Sequence, residues 1–177
     1  MKSDGDLAAL LQAINFAAEK HRNQRRKDKD ASPYINHPIA LATLLATARI
    51  DDLKVLQAAI LHDTIEDTDT SYEELVDKFG EAVAGVVMEV TDDKSLEKSR
   101  RKELQIEHAP NVSREAALVK IADKICNLRD VAAAPPANWS TDRRREYFDW
   151  AKRVVDALPM VSESLLAEFK VAFSARP

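Results

Sequence analysis

Glycine is scarce in this chain, with three in 177 residues, beside a single cysteine and seven prolines. So few glycines argue against a sheet built on tight turns, and the abundance of Ala, Leu, Glu, Lys and Arg favours helix. The lone cysteine, Cys126, excludes an intrachain disulfide framework and fits a reducing, cytoplasmic compartment. Positive charge is not in excess either. The formal net charge of −4 gives no support for nucleic-acid binding, while leaving room for a local basic pocket for a phosphorylated small molecule. No run of about 18 apolar residues and no apolar segment near the first residues is present, so neither a membrane span nor secretion is expected. Strand-like alternation, internal repeats and low-complexity tracts are also missing. What remains is 45% hydrophobic and 32% charged, ordinary for a soluble globular protein, and residues 1–177 suit one domain with a real core. Nothing in this composition bears on the oligomeric state.

Apolar side chains at Leu7, Leu10, Leu11, Ile14, Ala17 and Ala18 recur at helical spacing and predict a helix over 6–22, with Asp4 or Asp6 as N-cap. "NQRRKDKDASPYINHP" is basic, polar and proline-punctuated, which predicts a loop over about 23–37. Pro38 suits a helix's first turn, making His37 the cap of a helix that runs to about Ala48. Asp51 or Asp52 starts a third helix through "LKVLQAAILHDTIED". "DTS", Asp69 to Ser71, caps a helix over 72–79 that Gly80 ends. Helices over about 81–90, 98–107, 114–132, 140–157 and 160–173 complete an all-α reading of about eight helices.

The stretch "LHDTIEDTDT" joins His62, Asp63, Glu66, Asp67 and Asp69 to the apolar run Val55, Leu56, Ala58, Ala59, Ile60, Leu61. That run faces a core, so His62 and Asp63 are expected in or at the bottom of a cleft. An isolated buried carboxylate is costly and needs a partner. A divalent metal supplies one, and imidazole with carboxylate suits Mn, Fe, Co, Ni or Zn better than Ca. His37 in "PYINHP" and Asp123 in "LVKIADKICNL" complete a set of His37, His62, Asp63 and Asp123. Singly, His37 reads as an N-cap, His62 as a core histidine, and Asp123 as a surface partner of Lys120 or Lys124. Together, in the order H…HD…D, they form a pattern of metal-dependent phosphohydrolases. If the helix continues to residue 67, Glu66 and Asp67 follow His62 and Asp63 by four residues on shared faces. They then project beside the metal, where a hydrolase holds and deprotonates a water. Asp69 reads instead as part of an acidic helix end.

The segments "HRNQRRKD", "PYINHPIA", "QAAILHDTIEDTDT", "EVTDDKSL", "VKIADKICNLRD" and "EYFDWAKRVV" together resemble the single-domain HD-type small alarmone hydrolases of the RelA/SpoT homologue superfamily, over about residues 7–158. The resemblance implies an HD-domain helical bundle. It implies Mn²⁺ on His37, His62, Asp63 and Asp123, and Glu66 and Asp67 as the catalytic carboxylates. The implied reaction is guanosine-3′,5′-bis(diphosphate) 3′-pyrophosphohydrolysis, degrading (p)ppGpp to GDP or GTP plus pyrophosphate. Arg26, Lys27, Lys94, Asn127, Arg143 and Tyr147 match residues around the nucleotide, with Arg25 beside them. For the basic residues the competing reading is a solvated face. The length leaves no room for synthetase or regulatory domains, so hydrolysis without synthesis is expected. Two departures bear on pocket shape: Cys126 stands where an aromatic is familiar, and "KDKDAS" replaces a glycine-containing loop. His21 and His108 fall outside the metal pattern and read as structural or exposed. An NADPH 2′-phosphatase would use the same site. A catalytically silent nucleotide sensor is disfavoured by the intact ligands and carboxylates.

Overall fold

The computed structural model describes residues 4–177 and is all-α. Its helices are α1 (Asp4–Lys20), α2 (Asn36–Thr47), α3 (Leu53–Leu61), α4 (Thr64–Asp67), α5 (Tyr72–Phe79), α6 (Glu81–Val90), α7 (Lys98–His108), α8 (Arg114–Ala133), α9 (Thr141–Ala157) and α10 (Glu163–Phe173), with a 3-10 turn at Ala109–Asn111. Among the described residues the only extended pairing is one antiparallel bridge between Arg25 and Pro33. Among the described residues ten α-helices stand against the expected eight or so, in part because the segment expected as one helix to residue 67 folds as two, α3 and α4. No helix among the described residues is long and apolar enough to cross a membrane.

Two helices form the centre. In α3 every residue from Val55 to Leu61 is buried, and the helix packs against α1, α2, α6 and α8. Such a helix must be apolar all round. Its one polar side chain there, Gln57, donates to the Ala9 carbonyl at 3.2 Å. Helix α8, 20 residues and about 30 Å long, crosses α3 and also meets α2, α6, α9 and α10. In α1 the inward face is Ala13 and Ala17, flanked by Leu10 and Ile14. Leu7 and Leu11 are 59% and 55% exposed, so helical spacing alone overstated that stripe.

Helix starts follow side-chain chemistry. Asp52, Ser71, Ser113, Ser140 and Ser162 each accept a first-turn backbone N–H, worth about 1 kcal/mol apiece. Within the expected "DTS" cap it is Ser71 that caps α5. Asp69 instead accepts from Lys20 at 3.1 Å, and the Thr70 hydroxyl pairs with Thr68 at 2.8 Å. Helix α1 begins at Asp4, so Asp6 lies inside its first turn. The residue before that helix and the Asp4 side chain lie outside what is described. Helix α2 starts at Asn36 with Ile35 at its cap, which puts His37 inside the first turn. The entry is drawn back because turn bonds already run from Asn36 N to Pro33 O and from His37 N to Tyr34 O, at 3.1 and 3.0 Å.

The segment between α1 and α2 is pinned by Arg26 N to Ser32 O at 2.8 Å and Tyr34 N to Gln24 O at 3.1 Å. At its tip Ala31 has φ +48°. A side chain in this left-handed region costs about 1–2 kcal/mol, partly offset by the greater chain entropy that glycine loses on folding, about 0.5–1 kcal/mol. Ala31→Gly should therefore stabilise the protein by about 0.5–1 kcal/mol. Urea unfolding checks this, and a lowered midpoint would show that Ala31 is not strained.

Candidate active site

The chain leaves the helical path at His62 and Asp63, between α3 and α4. Asp63 takes φ −100°, ψ 0° between α3 and α4, in the sparsely used bridge region. The Thr64 hydroxyl donates back to the Leu61 carbonyl at 2.7 Å, and Asp67 N bonds Asp63 O at 2.9 Å. The expected continuous helix to residue 67 is thus interrupted. A single turn, α4, carries Glu66 and Asp67 instead.

Three elements converge there: the first turn of α2 brings His37, the end of α3 brings His62, and the middle of α8 brings Asp123. Their ligand atoms lie within 4.8 Å of one another. His37 Nε2 is 3.1 Å from Asp123 Oδ1. His62 Nε2 is 2.9 Å from Asp63 Oδ2 and 3.9 Å from Asp123 Oδ1. His62 Nδ1 lies 2.8 Å from the Ala59 carbonyl and donates to it, which leaves the Nε2 lone pair aimed at the carboxylates. That buried Nε2 makes no hydrogen bond. A lone pair facing carboxylate oxygens needs a positive charge between them, a proton in the metal-free protein or a bound cation. Burial would lower the His62 imidazolium, but Asp63 and Asp123 override burial and push it up to about 9. Burial would raise the two carboxyls, but His62 beside Asp63 and Lys124 beside Asp123 hold both below the usual range. Two imidazoles, two carboxylates and no thiolate make a donor set that fits a divalent ion of the Mn-to-Zn series. The cluster is braced from outside. Tyr34 donates to Asp63, and Asn127 and Lys124 donate to Asp123 at 2.7 and 3.0 Å.

Glu66 and Asp67 line a cavity of about 190 Å³ together with His37, His62, Asp63 and Asp123. Glu66 accepts from the Asp92 backbone N–H at 3.0 Å, and burial pushes its carboxyl up to about 7. Asp67 accepts from Gln24 at 3.1 Å and from Lys94.

A larger cleft of about 600 Å³ opens from this cavity. The two share Arg26, Tyr34, His37, Asp67 and Asn127. Lys27 and Tyr147 line the larger one, as does Arg25. Arg26 donates to Asn127 at 3.3 Å and to Asp130 at 2.5 Å. Lys94 and Arg143 line neither cavity. Lys94 reaches the site by pairing with Asp67. Arg143 lies 4.8 Å from the ring centre of Trp139, which lines the larger cleft. Beyond them, Lys98 has its ammonium destabilised by burial and then by Arg143, Lys27 and Arg101. Cys126 is buried away from solvent, which pushes its thiol up to about 12. His21 is buried and His108 is exposed at the end of α7.

Residue-type reasoning passed over Tyr34, Gln24, Trp139, Lys120 and Lys124. Lys120 and Lys124 are 8% and 4% exposed and line the smaller cavity, not the helix surface. Burial and then neighbouring Lys124 lower Lys120 to about 8. The signal was present, since residues 120, 123, 124 and 127 share one helical face.

Comparison with known proteins follows the same lines. The HD domain family model matches residues 13–150. The Danio rerio protein named guanosine-3′,5′-bis(diphosphate) 3′-pyrophosphohydrolase MESH1 is 52% identical over 170 residues, 96% of this chain and 94% of that protein. The Escherichia coli bifunctional (p)ppGpp synthase/hydrolase SpoT is 33% identical over 148 residues, 80% of this chain but 20% of that protein. A solved structure described as a metazoan ortholog of SpoT that hydrolyzes ppGpp superposes with a TM-score of 0.92 at 47% identity, covering 99% of this chain and 97% of that one.

Proposed function

The chain belongs to the HD domain family, and from that premise we propose that it is a guanosine-3′,5′-bis(diphosphate) 3′-pyrophosphohydrolase. The observation that carries the reading is a buried His–Asp cluster at the floor of a cation-lined cleft, in a chain that matches ppGpp hydrolases almost end to end. We take residues 1–177 as one phosphohydrolase domain in a reducing, cytoplasmic setting, consistent with its single thiol.

His37, His62, Asp63 and Asp123 are the residues to hold a divalent ion, for which we propose Mn²⁺. When bound, that ion supplies Lewis-acid polarisation of the phosphate and activation of water. The rest falls to side chains. The 3′-pyrophosphate enters strongly anionic, and Arg26 and Lys27, with Lys94 and Arg143 at the rim, neutralise it. Asn127 hydrogen-bonds the ribose or the adjacent phosphate, and Tyr147 packs on the sugar. Glu66 orients the water and Asp67 accepts its proton. The water oxygen bonds to the phosphorus attached to ribose O3′, and the P–O3′ bond breaks. O3′ leaves with the electron pair and takes up a proton. GDP forms from ppGpp and GTP from pppGpp, each with pyrophosphate.

Product analysis by anion exchange tests this. Protein stripped and reloaded with Mn²⁺ should convert ppGpp to GDP plus pyrophosphate, and EDTA should abolish the conversion. Intact ppGpp beside NADPH that loses its 2′-phosphate would keep the site and overturn the substrate.

A further inference from the structure

One buried histidine has no place in the mechanism so far. His21, 2% exposed, follows the last turn of α1, with its backbone N–H on the Ala17 carbonyl at 2.9 Å. Its Nδ1 lies 2.6 Å from Gln24 Oε1. The Gln24 amide in turn donates from Nε2 to Asp67 Oδ2 at 3.1 Å. An ionised carboxylate only accepts hydrogen bonds, so the NH₂ end of Gln24 must face Asp67 and its oxygen must face His21. That fixes His21 Nδ1 as the donor to Gln24. The other ring nitrogen, Nε2, is buried and has no hydrogen-bond partner.

The Gln24 backbone is equally constrained. Its N–H bonds the His21 carbonyl at 2.9 Å, and its carbonyl accepts from Tyr34 N at 3.1 Å. The His21 ring also packs beside Tyr34, centroids 4.9 Å apart, and the Tyr34 hydroxyl donates to Asp63. A buried ring at the end of α1 therefore reaches both the metal cluster and the catalytic carboxylate.

We propose that Gln24, set by His21, is a positioning residue for Asp67. The reading rests on Asp67 as the group that accepts the water's proton. Asp67 has two donors of different kinds. Lys94 is half-exposed and free to turn to an arriving phosphate. Gln24 is anchored at both ends and stays. With Oδ2 held by Gln24, departure of Lys94 presents Oδ1 to the water in a fixed direction. A free carboxylate on the single turn α4 would rotate away from it. Misplacement of a reacting group by about 1 Å costs up to ~10²-fold.

A kinetic double-mutant cycle on the Mn²⁺-loaded enzyme with ppGpp decides the matter. Gln24→Met keeps the length and removes the amide. It should lower kcat about 10-fold, with KM and bound Mn²⁺ unchanged. In an Asp67→Asn background the same substitution should cost less than about twofold, because it acts only through Asp67. His21→Phe keeps a buried ring and loses one hydrogen bond. It should lower kcat in the same direction, and add nothing once Gln24 is Met. A Gln24→Met loss that persists undiminished beside Asp67→Asn, or that falls on KM, overturns the proposal, as does no loss at all. Near-normal kcat in Asp67→Asn alone is a different failure: the catalytic assignment of Asp67 falls first, and the positioning role with it.

Discussion

Asp63→Ala is expected to lose its divalent ion and its turnover together. Asp63 sits at the break between α3 and α4, with one carboxylate oxygen 2.9 Å from His62 Nε2 and accepting from Tyr34. Removing it leaves two imidazoles and Asp123, one negative charge fewer around a dication. Metal polarisation contributes several kcal/mol to such hydrolyses, so turnover should fall at least ~10³-fold. Metal content measured after gel filtration should drop from stoichiometric to trace. Stoichiometric Mn²⁺ in the variant would remove Asp63 from the ligand set, however low the activity.

The stripped protein offers a second check on the same residue. Without metal, Asp63 and Asp123 raise the His62 imidazolium from 6.5 to about 9 despite burial. A raised folded-state value stabilises the protein fully below the unfolded value of 6.5, and the stabilisation is lost as pH climbs through 9. Stripped wild type should therefore exceed stripped Asp63→Ala in Tm at about pH 6.5, and the gap should narrow toward pH 9. A gap constant across that window would mean that Asp63 does not hold the His62 proton.

Much of this site was legible in the sequence because its residues violate their surroundings. A histidine and a carboxylate welded to the all-apolar α3, and an aspartate within the buried α8, each demand a partner, and the partners proved to be one another. The helices were legible for a similar reason, since cap residues and apolar spacing act locally. What stayed hidden depends on contacts between distant segments. The break at His62–Asp63 is made by a Thr64 hydroxyl bonding back to Leu61, and nothing in the composition of "HDTIED" marks it. Lys120 and Lys124 looked like solvated charges until α8 proved buried on nearly every side. Gln24 became meaningful only when the turn at its carbonyl placed it 3.1 Å from a residue 43 positions away.

Asp67→Asn tests the chemistry apart from the metal. The substitution is nearly isosteric, and the backbone bond from residue 67 to Asp63 O survives it. None of the four proposed ligands is touched, so Mn²⁺ should remain stoichiometric. What goes is the group proposed to accept the water's proton, and loss of a positioned general base costs about 10²–10⁴-fold in kcat. The asparagine amide also meets two donors, Gln24 and Lys94, and can satisfy only one of them with its oxygen. The sign of the pH dependence separates a lost base from a displaced side chain. A variant without its base draws on hydroxide, so its deficit against wild type should shrink as pH rises. A side chain that is merely displaced gives a deficit independent of pH. Near-normal kcat at neutral pH would take Asp67 out of the mechanism and leave Glu66, whose carboxyl burial pushes up to about 7, as the group to test next.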